Sequence, residues 1–263
     1  MRVRSLALTT DLGLAATHGI VIDRGDYIVV STPDNPTFYY GNYLALPAAP
    51  QVGEVTYWTR RFSEELGKNP EIRHVTLCWD GTSGEVGARD ELVAAGFKVE
   101  LHQAMTATTV AAPAIPLEIR ALAPQELRLT ADLAFAIGDD HSDHYRQFLT
   151  RQASWRKSLV ERGLGTFWGA FDRDGQTSGQ LVGSLGIVPL GRLARYQDVQ
   201  TATSHRKRGI ASALLATAAA SPHGAELVVI VAEPNSAASR VYERAGFRFA
   251  EHVGSACLRR RAT

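Results

Sequence analysis

Apolar positions change period repeatedly along the second half of the chain, and the changes mark elements. Ile119 to Leu122 reads as a strand; Pro124 to Ile137 reads as a helix, with Leu127, Ala131 and Ala134 spaced along one face. A polar loop, Gly138 to His144, precedes a second helical stretch, Tyr145 to Arg162. Thr166 to Asp172 and Gln180 to Val188, separated by turn residues such as Asp174 and Gly175, read as an antiparallel pair. Tyr196 to Thr201 predicts a strand, His205 to Ala220 a helix, and Glu226 to Ala232 a buried strand. Ser236 to Ala245 then predicts a helix and Phe247 to Leu258 a last strand.

The first half repeats the later part of that order. Tyr27 to Ser31 and Thr37 to Leu46 are strand-like, Val52 to Leu66 helical, Ile72 to Trp79 a strand, Gly84 to Ala95 helical, and Phe97 to Ala104 a strand. Both halves end strand, helix, strand, helix, Gly-Phe, strand, at Gly96-Phe97 and Gly246-Phe247. The pattern predicts an internal duplication: a mixed α/β chain of two domains, each a twisted central sheet flanked by helices. Thr106 to Pro116 carries no charge, no helical period and two prolines, as a linker does. The boundary is expected near Pro113, giving domains 1–113 and 114–263.

Composition narrows the function classes. Hydrophobic residues make up 45% and charged residues 21%, enough to bury two cores across 263 residues. The net charge of +1 offers nucleic acid or an anionic membrane no whole-molecule attraction, and the short basic tail Arg259 to Arg261 lacks interleaved aromatics. That neutrality hides a split: residues 1–115 hold 9 basic and 13 acidic groups, and residues 116–263 hold 19 and 14. The second half is the better anion binder. Cys78 and Cys257 are too few for a disulfide framework or a zinc site, which fits a reducing cytoplasm. Met1 to Thr10 lacks the features of an export signal, and no run approaches about 18 apolar residues.

Two segments carry chemistry. Val199-Gln-Thr-Ala-Thr-Ser-His-Arg-Lys-Arg-Gly-Ile-Ala211 runs from a strand into a helix striped by Ile210, Leu214, Leu215 and Ala218. A helix start presents unpaired N–H groups, Gly209 and Ala211 let a ligand approach the backbone, and Arg206, Lys207 and Arg208 favour negative charge. That chemistry suits a phosphate. The second segment, Asn235 to Phe247, follows the buried strand; Ala238 and Tyr242 lie one helical turn apart on one face. The small residue leaves room for a ligand beside the phenol. Asn235 is the expected N-cap and Gly246 the expected stop.

Together and in this order, the two segments resemble motifs A and B of the Gcn5-related N-acetyltransferase (GNAT) superfamily, over residues 116–263. The resemblance implies that Arg206, Gly209 and Ala211, with Lys207, Arg208 and Ile210 in the same loop and helix start, hold the pyrophosphate of acetyl-coenzyme A. It implies that the Val199 and Thr201 backbone binds the pantetheine, that Asn235 and Ala238 lie beside the cofactor arm, and that Tyr242 is near the sulfur. The implied reaction is direct attack of a primary amine on the thioester, with Tyr242 as the acid. No transferable motif marks a base; Glu233 and the cluster Asp139, Asp140, His141, Asp143 and His144 are the candidates. The cluster's ligands are bunched, so no metal site is expected. A non-catalytic acyl-coenzyme A sensor is the alternative.

The same template fails in the first half. The positions corresponding to Asn235, Ala238 and Tyr242 are Glu85, Ala88 and Leu92, and Pro47 and Pro50 remove N–H donors where a phosphate loop would need them. The first half is therefore expected to be a degenerate repeat.

Overall fold

The computed structural model describes residues 1–112, 114–173, 179–221 and 223–259. Pro113, Asp174, Gly175, Arg260 and Arg261 lie outside them. In chain order the first elements are α1 (Leu6–Ala15), β1 (Ile20–Asp23), β2 (Ile28–Ser31), β3 (Tyr43–Leu46), α2 (Val55–Leu66), β4 (His74–Trp79), α3 (Arg89–Ala94) and β5 (Lys98–Ala107). Next come β6 (Glu118–Ala121), α4 (Arg128–Ile137), α5 (Asp143–Glu161), β7 (Thr166–Phe171), β8 (Leu181–Leu190) and β9 (Leu193–Thr201). The chain closes with α6 (Ile210–Ala220), β10 (Leu227–Ala232), α7 (Ala237–Arg244) and β11 (Arg248–Arg259). Strand, helix, strand, helix, strand recurs as β3-α2-β4-α3-β5 and β9-α6-β10-α7-β11. No described helix is long and apolar enough to cross a membrane.

The chain divides into two compact units. The first comprises Met1–Ala104, Val231–Pro234 and the chain from Phe249 onward; the second comprises Met105–Ile230 and Asn235–Arg248. The first unit's strands run in the order β1-β2-β3-β4-β11-β5. Its β3 and β4 are parallel, and β11, the strand that the sequence pattern counts as the last of the second half, lies antiparallel to β4 from Ser255↔Cys78 to Arg259↔His74. Alternation decides which side chains face which helix. Tyr27, Val29, Leu44 and Leu46 share one core with Phe62 and Leu66 of α2 and Leu92 of α3. Ile28, Val30, Tyr43 and Ala45 point the other way, against Leu8 and Ala15 of α1. Burying a leucine as fully as Leu44 contributes about 2 kcal/mol.

The second unit's strands run β10-β9-β8-β7-β6, antiparallel except for the parallel pair β9 and β10. Helix α6 packs directly on β8: a Cβ at Gly183 would lie 2.6 Å from Ile210 and 3.2 Å from Leu214. Ile210, Leu214, Leu215 and Ala218 are buried on that face, and Tyr196 of β9 donates to the Leu215 carbonyl at 2.7 Å.

Several elements are shorter than the periodicity predicts, each for a backbone reason. The segment before α3 stays non-helical because Gly84 and Gly87 take φ 86° and 55°. Residues 37–42 form a turn, with Tyr39–Gly41 in a 3₁₀ helix, and only Tyr43–Leu46 pairs. Helix α6 begins at Ile210 because Lys207 and Gly209 are left-handed.

Candidate functional site

The β9–α6 junction is built from three local features. The first is a bulge. Across β8 and β9 the register passes from Gly186↔Gln197 to Ser184↔Gln200, so Asp198 and Val199 together oppose Leu185. Asp198 there has φ 50°. The second is a gap. The β9–β10 ladder runs Leu227↔Leu193, Val228↔Ala194, Val229↔Arg195 and stops. Tyr196 to Thr201 continue β9 without a β10 partner. The third is the helix start itself. Gly209, at φ 78°, is the N-cap of α6, and the first helical bond is donated by Ala213 to its carbonyl. The amides of Ile210, Ala211 and Ser212 therefore have no acceptor within the helix.

Charge at this junction is one-sided. Arg206, Lys207 and Arg208 are exposed and form no ion pair among the described residues. The buried His205 is held beneath them: its Nε2 lies 3.1 Å from Asp172 Oδ2 and its Nδ1 2.9 Å from Ser204 Oγ. A Cβ on Gly209 would sit 3.4 Å from Ile115, with the left-handed φ strained for any L side chain. Helix-start amides without an intrahelical partner, three exposed cations and a glycine at the approach are donors of the kind a diphosphate uses.

In α7, Ser236 rather than Asn235 is the N-cap, its hydroxyl accepting from Ser239 N at 3.0 Å. Asn235 is exposed at φ 59°, its carbonyl accepting from Arg240. An asparagine tolerates that conformation, so it serves the turn while serine takes the cap. Ala238 is exposed, and Tyr242 is buried, packed 6.1 Å from the Phe247 ring. Burial pushes the Tyr242 phenol up to about 12. Glu233 is exposed, one residue past β10.

The acidic loop before α5 does local work. Asp140 accepts from Ser142 N at 2.8 Å, which holds its carboxyl below the ordinary range, and Ser142 caps α5 through Tyr145 N. His141 packs edge-on against Phe135. Sequence reasoning missed Arg156, on α5, whose buried guanidinium donates to Asp198 at 2.7 Å and to Thr130 at 2.7 Å. Forty-two positions separate the ionic partners, and no local motif links them.

Residues 163–249 match the family model for the acetyltransferase (GNAT) domain. Among solved structures, the chain superposes with TM-score 0.73 on a conserved protein of unknown function from Staphylococcus epidermidis, at 12% identity over 92% of this chain and 95% of that one. It superposes with TM-score 0.64 on a GCN5-related N-acetyltransferase from Kribbella flavida, at 14% identity over 98% and 96%. A tandem GNAT protein from the clavulanic acid biosynthesis pathway gives 0.52, at 12% identity over 84% and 76%. At these identities the likeness is one of fold. No curated protein matches the chain.

Proposed function

We propose that this chain, which carries a GNAT acetyltransferase domain over residues 163–249, moves an acetyl group from acetyl-coenzyme A to a primary amine. The observation that carries the reading is the open end of the β9–β10 ladder beside an unneutralised, amide-rich helix start. Bound there, acetyl-coenzyme A supplies the activated thioester.

In this reading, the amides of Ile210 and Ala211 receive the diphosphate, with Arg206, Lys207 and Arg208 offsetting its charge. The backbone of Val199 and Thr201 holds the pantetheine arm where β10 no longer pairs. Asn235 and Ala238 border that arm. Holding amine and thioester side by side removes much of the entropic barrier. The Val199 N–H donates to the developing oxyanion, a fixed dipole aimed where charge appears. Tyr242 carries its proton through the neutral range, as any tyrosine does, with burial raising its pKa further, and can protonate the departing thiolate. Glu233, exposed at the end of β10, is assigned to removing the proton from the amine.

We assign residues 114–263 to the acetyl-transferring domain and 1–113 to a degenerate repeat without cofactor chemistry. The test is steady-state release of free coenzyme A thiol with a panel of primary amines. Turnover with at least one amine is expected. Tight acetyl-coenzyme A binding with no turnover for any amine, and no effect of Tyr242→Phe, would assign the chain to sensing instead.

A further inference from the structure

A bulge is a local disruption of a ladder, and something must fix its shape. At β9 the fixing group is a buried cation. The Arg156 side chain is 3% exposed, while that of Asp198 is 39% exposed. Arg156 Nη2 donates to Asp198 Oδ2, and Nη1 donates to Thr130 Oγ1, each at 2.7 Å. Thr130 in turn donates to the Leu127 carbonyl at 2.7 Å. One guanidinium thus joins α4, α5 and the bulge, with the Phe167 ring centroid 5.9 Å from its carbon.

Stability alone is a poor reason for this arrangement. Burying a guanidinium is costly, and an apolar side chain of similar volume commonly does as well or better. Here the cost is not fully recovered, because Arg156 Nε is buried without a hydrogen-bond partner among the described residues. The carboxylate it holds belongs to a non-glycine residue kept at positive φ, and that residue immediately precedes Val199. An aspartate adopts that conformation more readily than most residues, and the pair with Arg156 holds its carboxylate there.

We infer that the Arg156–Asp198 pair is a latch that sets the bulge so that the Val199 N–H meets the thioester carbonyl. Arg156 is a positioning residue: it touches neither substrate and acts through Asp198. The inference rests on the acetyl-transfer reading above and adds a requirement to it.

The test compares Arg156→Met, Asp198→Asn, Asp198→Ala and the double variant Arg156→Met/Asp198→Ala in the full chain. It measures kcat, acetyl-coenzyme A affinity by calorimetry, melting temperature, and amide hydrogen exchange at residues 198–200. Arg156→Met is expected to lower kcat about 100-fold, as a small misplacement of an aligned group does, while cofactor affinity changes less than about twofold. Exchange at 198–200 should quicken at least about tenfold with the rest of β9 unchanged. Asp198→Asn keeps an oxygen for Arg156 and should retain most of kcat. Asp198→Ala should lose as much as Arg156→Met, and the double variant no more than either.

An Arg156→Met enzyme with kcat near wild type and unchanged exchange would overturn the latch. So would Asp198→Asn losing as much as Asp198→Ala, which would make the carboxylate's charge a direct contact for the amine. Should Arg156→Met not fold, the Asn and Ala variants at 198 still decide by that contrast and by local exchange. A wild-type chain that binds no acetyl-coenzyme A would defeat the parent reading, whereas the exchange data would still report on the latch.

Discussion

The segments β3-α2-β4 and β9-α6-β10 have the same element order and opposite fates at their open ends. In the first unit the parallel ladder runs to the last residue of each strand, Leu46↔Trp79, and Asp80 N extends it by donating to the Leu46 carbonyl at 2.9 Å. In the second it stops at Arg195↔Val229, with six residues of β9 still to come. The helix starts differ in the same sense. Before α2, the Gln51 amide is taken by Glu54 at 2.9 Å and the Gly53 amide by Glu91 at 2.7 Å. Two carboxylates thus occupy the loop just before α2, taking amides that precede its N-cap, Glu54. Before α6, the side chains are Arg206, Lys207 and Arg208. At the third point of comparison, Leu92 is fully buried hydrocarbon where α7 carries Tyr242. The same element order thus ends in a closed ladder behind an acidic loop in one unit and in an open ladder behind a basic loop in the other.

The largest expected effect comes from placing a negative charge at the start of α6. Gly209→Glu should lower acetyl-coenzyme A affinity at least about 100-fold in calorimetry, because it adds both a carboxylate at the proposed diphosphate seat and left-handed strain. Gly209→Ala carries the strain alone and should lose much less. Equal losses in the two variants would show that backbone shape, and not charge, distinguishes α6 from α2.

Next in size is the phenol. Tyr242→Phe should reduce kcat by about 100-fold with little change in cofactor affinity, in the range for a positioned acid. The pH profile sharpens this. A phenol raised to about 12 keeps its proton in the folded chain at pH values where a solvated tyrosine has lost it, so Tyr242 contributes no alkaline limb near pH 10. An alkaline fall near pH 10 that vanishes in Tyr242→Phe would show the phenol titrating as a solvated tyrosine does, against its burial. The linked stability follows the same sign. It is fully present below the unfolded pKa near 10 and is lost as pH rises from there toward about 12.

The smallest effect is expected in the closed segment. Glu91→Ala frees the exposed Gly53 amide and should cost about 1 kcal/mol in denaturant unfolding. It should not create a second acetyl-coenzyme A site, because the β3–β4 ladder remains closed. Two equivalents bound by Glu91→Ala would show that the carboxylate, not the ladder, is the difference that matters between the two segments.

The residues that made this comparison legible in the sequence are local ones. Gly209, the basic triplet before it, the Ala238–Tyr242 spacing and the paired Gly-Phe dipeptides all act within a few positions of one another. The features that stayed hidden depend on distant partners. Glu91 reaches Gly53 across 38 positions and Arg156 reaches Asp198 across 42, so neither leaves a spacing to read. Helix α1 escaped periodicity because Leu6, Ala7, Leu8, Leu12, Leu14 and Ala15 leave no polar stripe on which a helical period could register. Strand β1 escaped because its Ile20 and Ile22 are exposed, 49% and 38%, so apolar identity there does not signal burial. The pairing of β11 with β4 is equally absent from local pattern. Nothing between residues 248 and 259 names its neighbour.

The most direct test is a crystal structure of the chain grown with coenzyme A. One molecule per chain is expected, its diphosphate on the amides of Ile210 and Ala211 and its pantetheine arm along Val199 to Thr201. Coenzyme A seated at the start of α2, or bound with its diphosphate away from α6, would contradict the account.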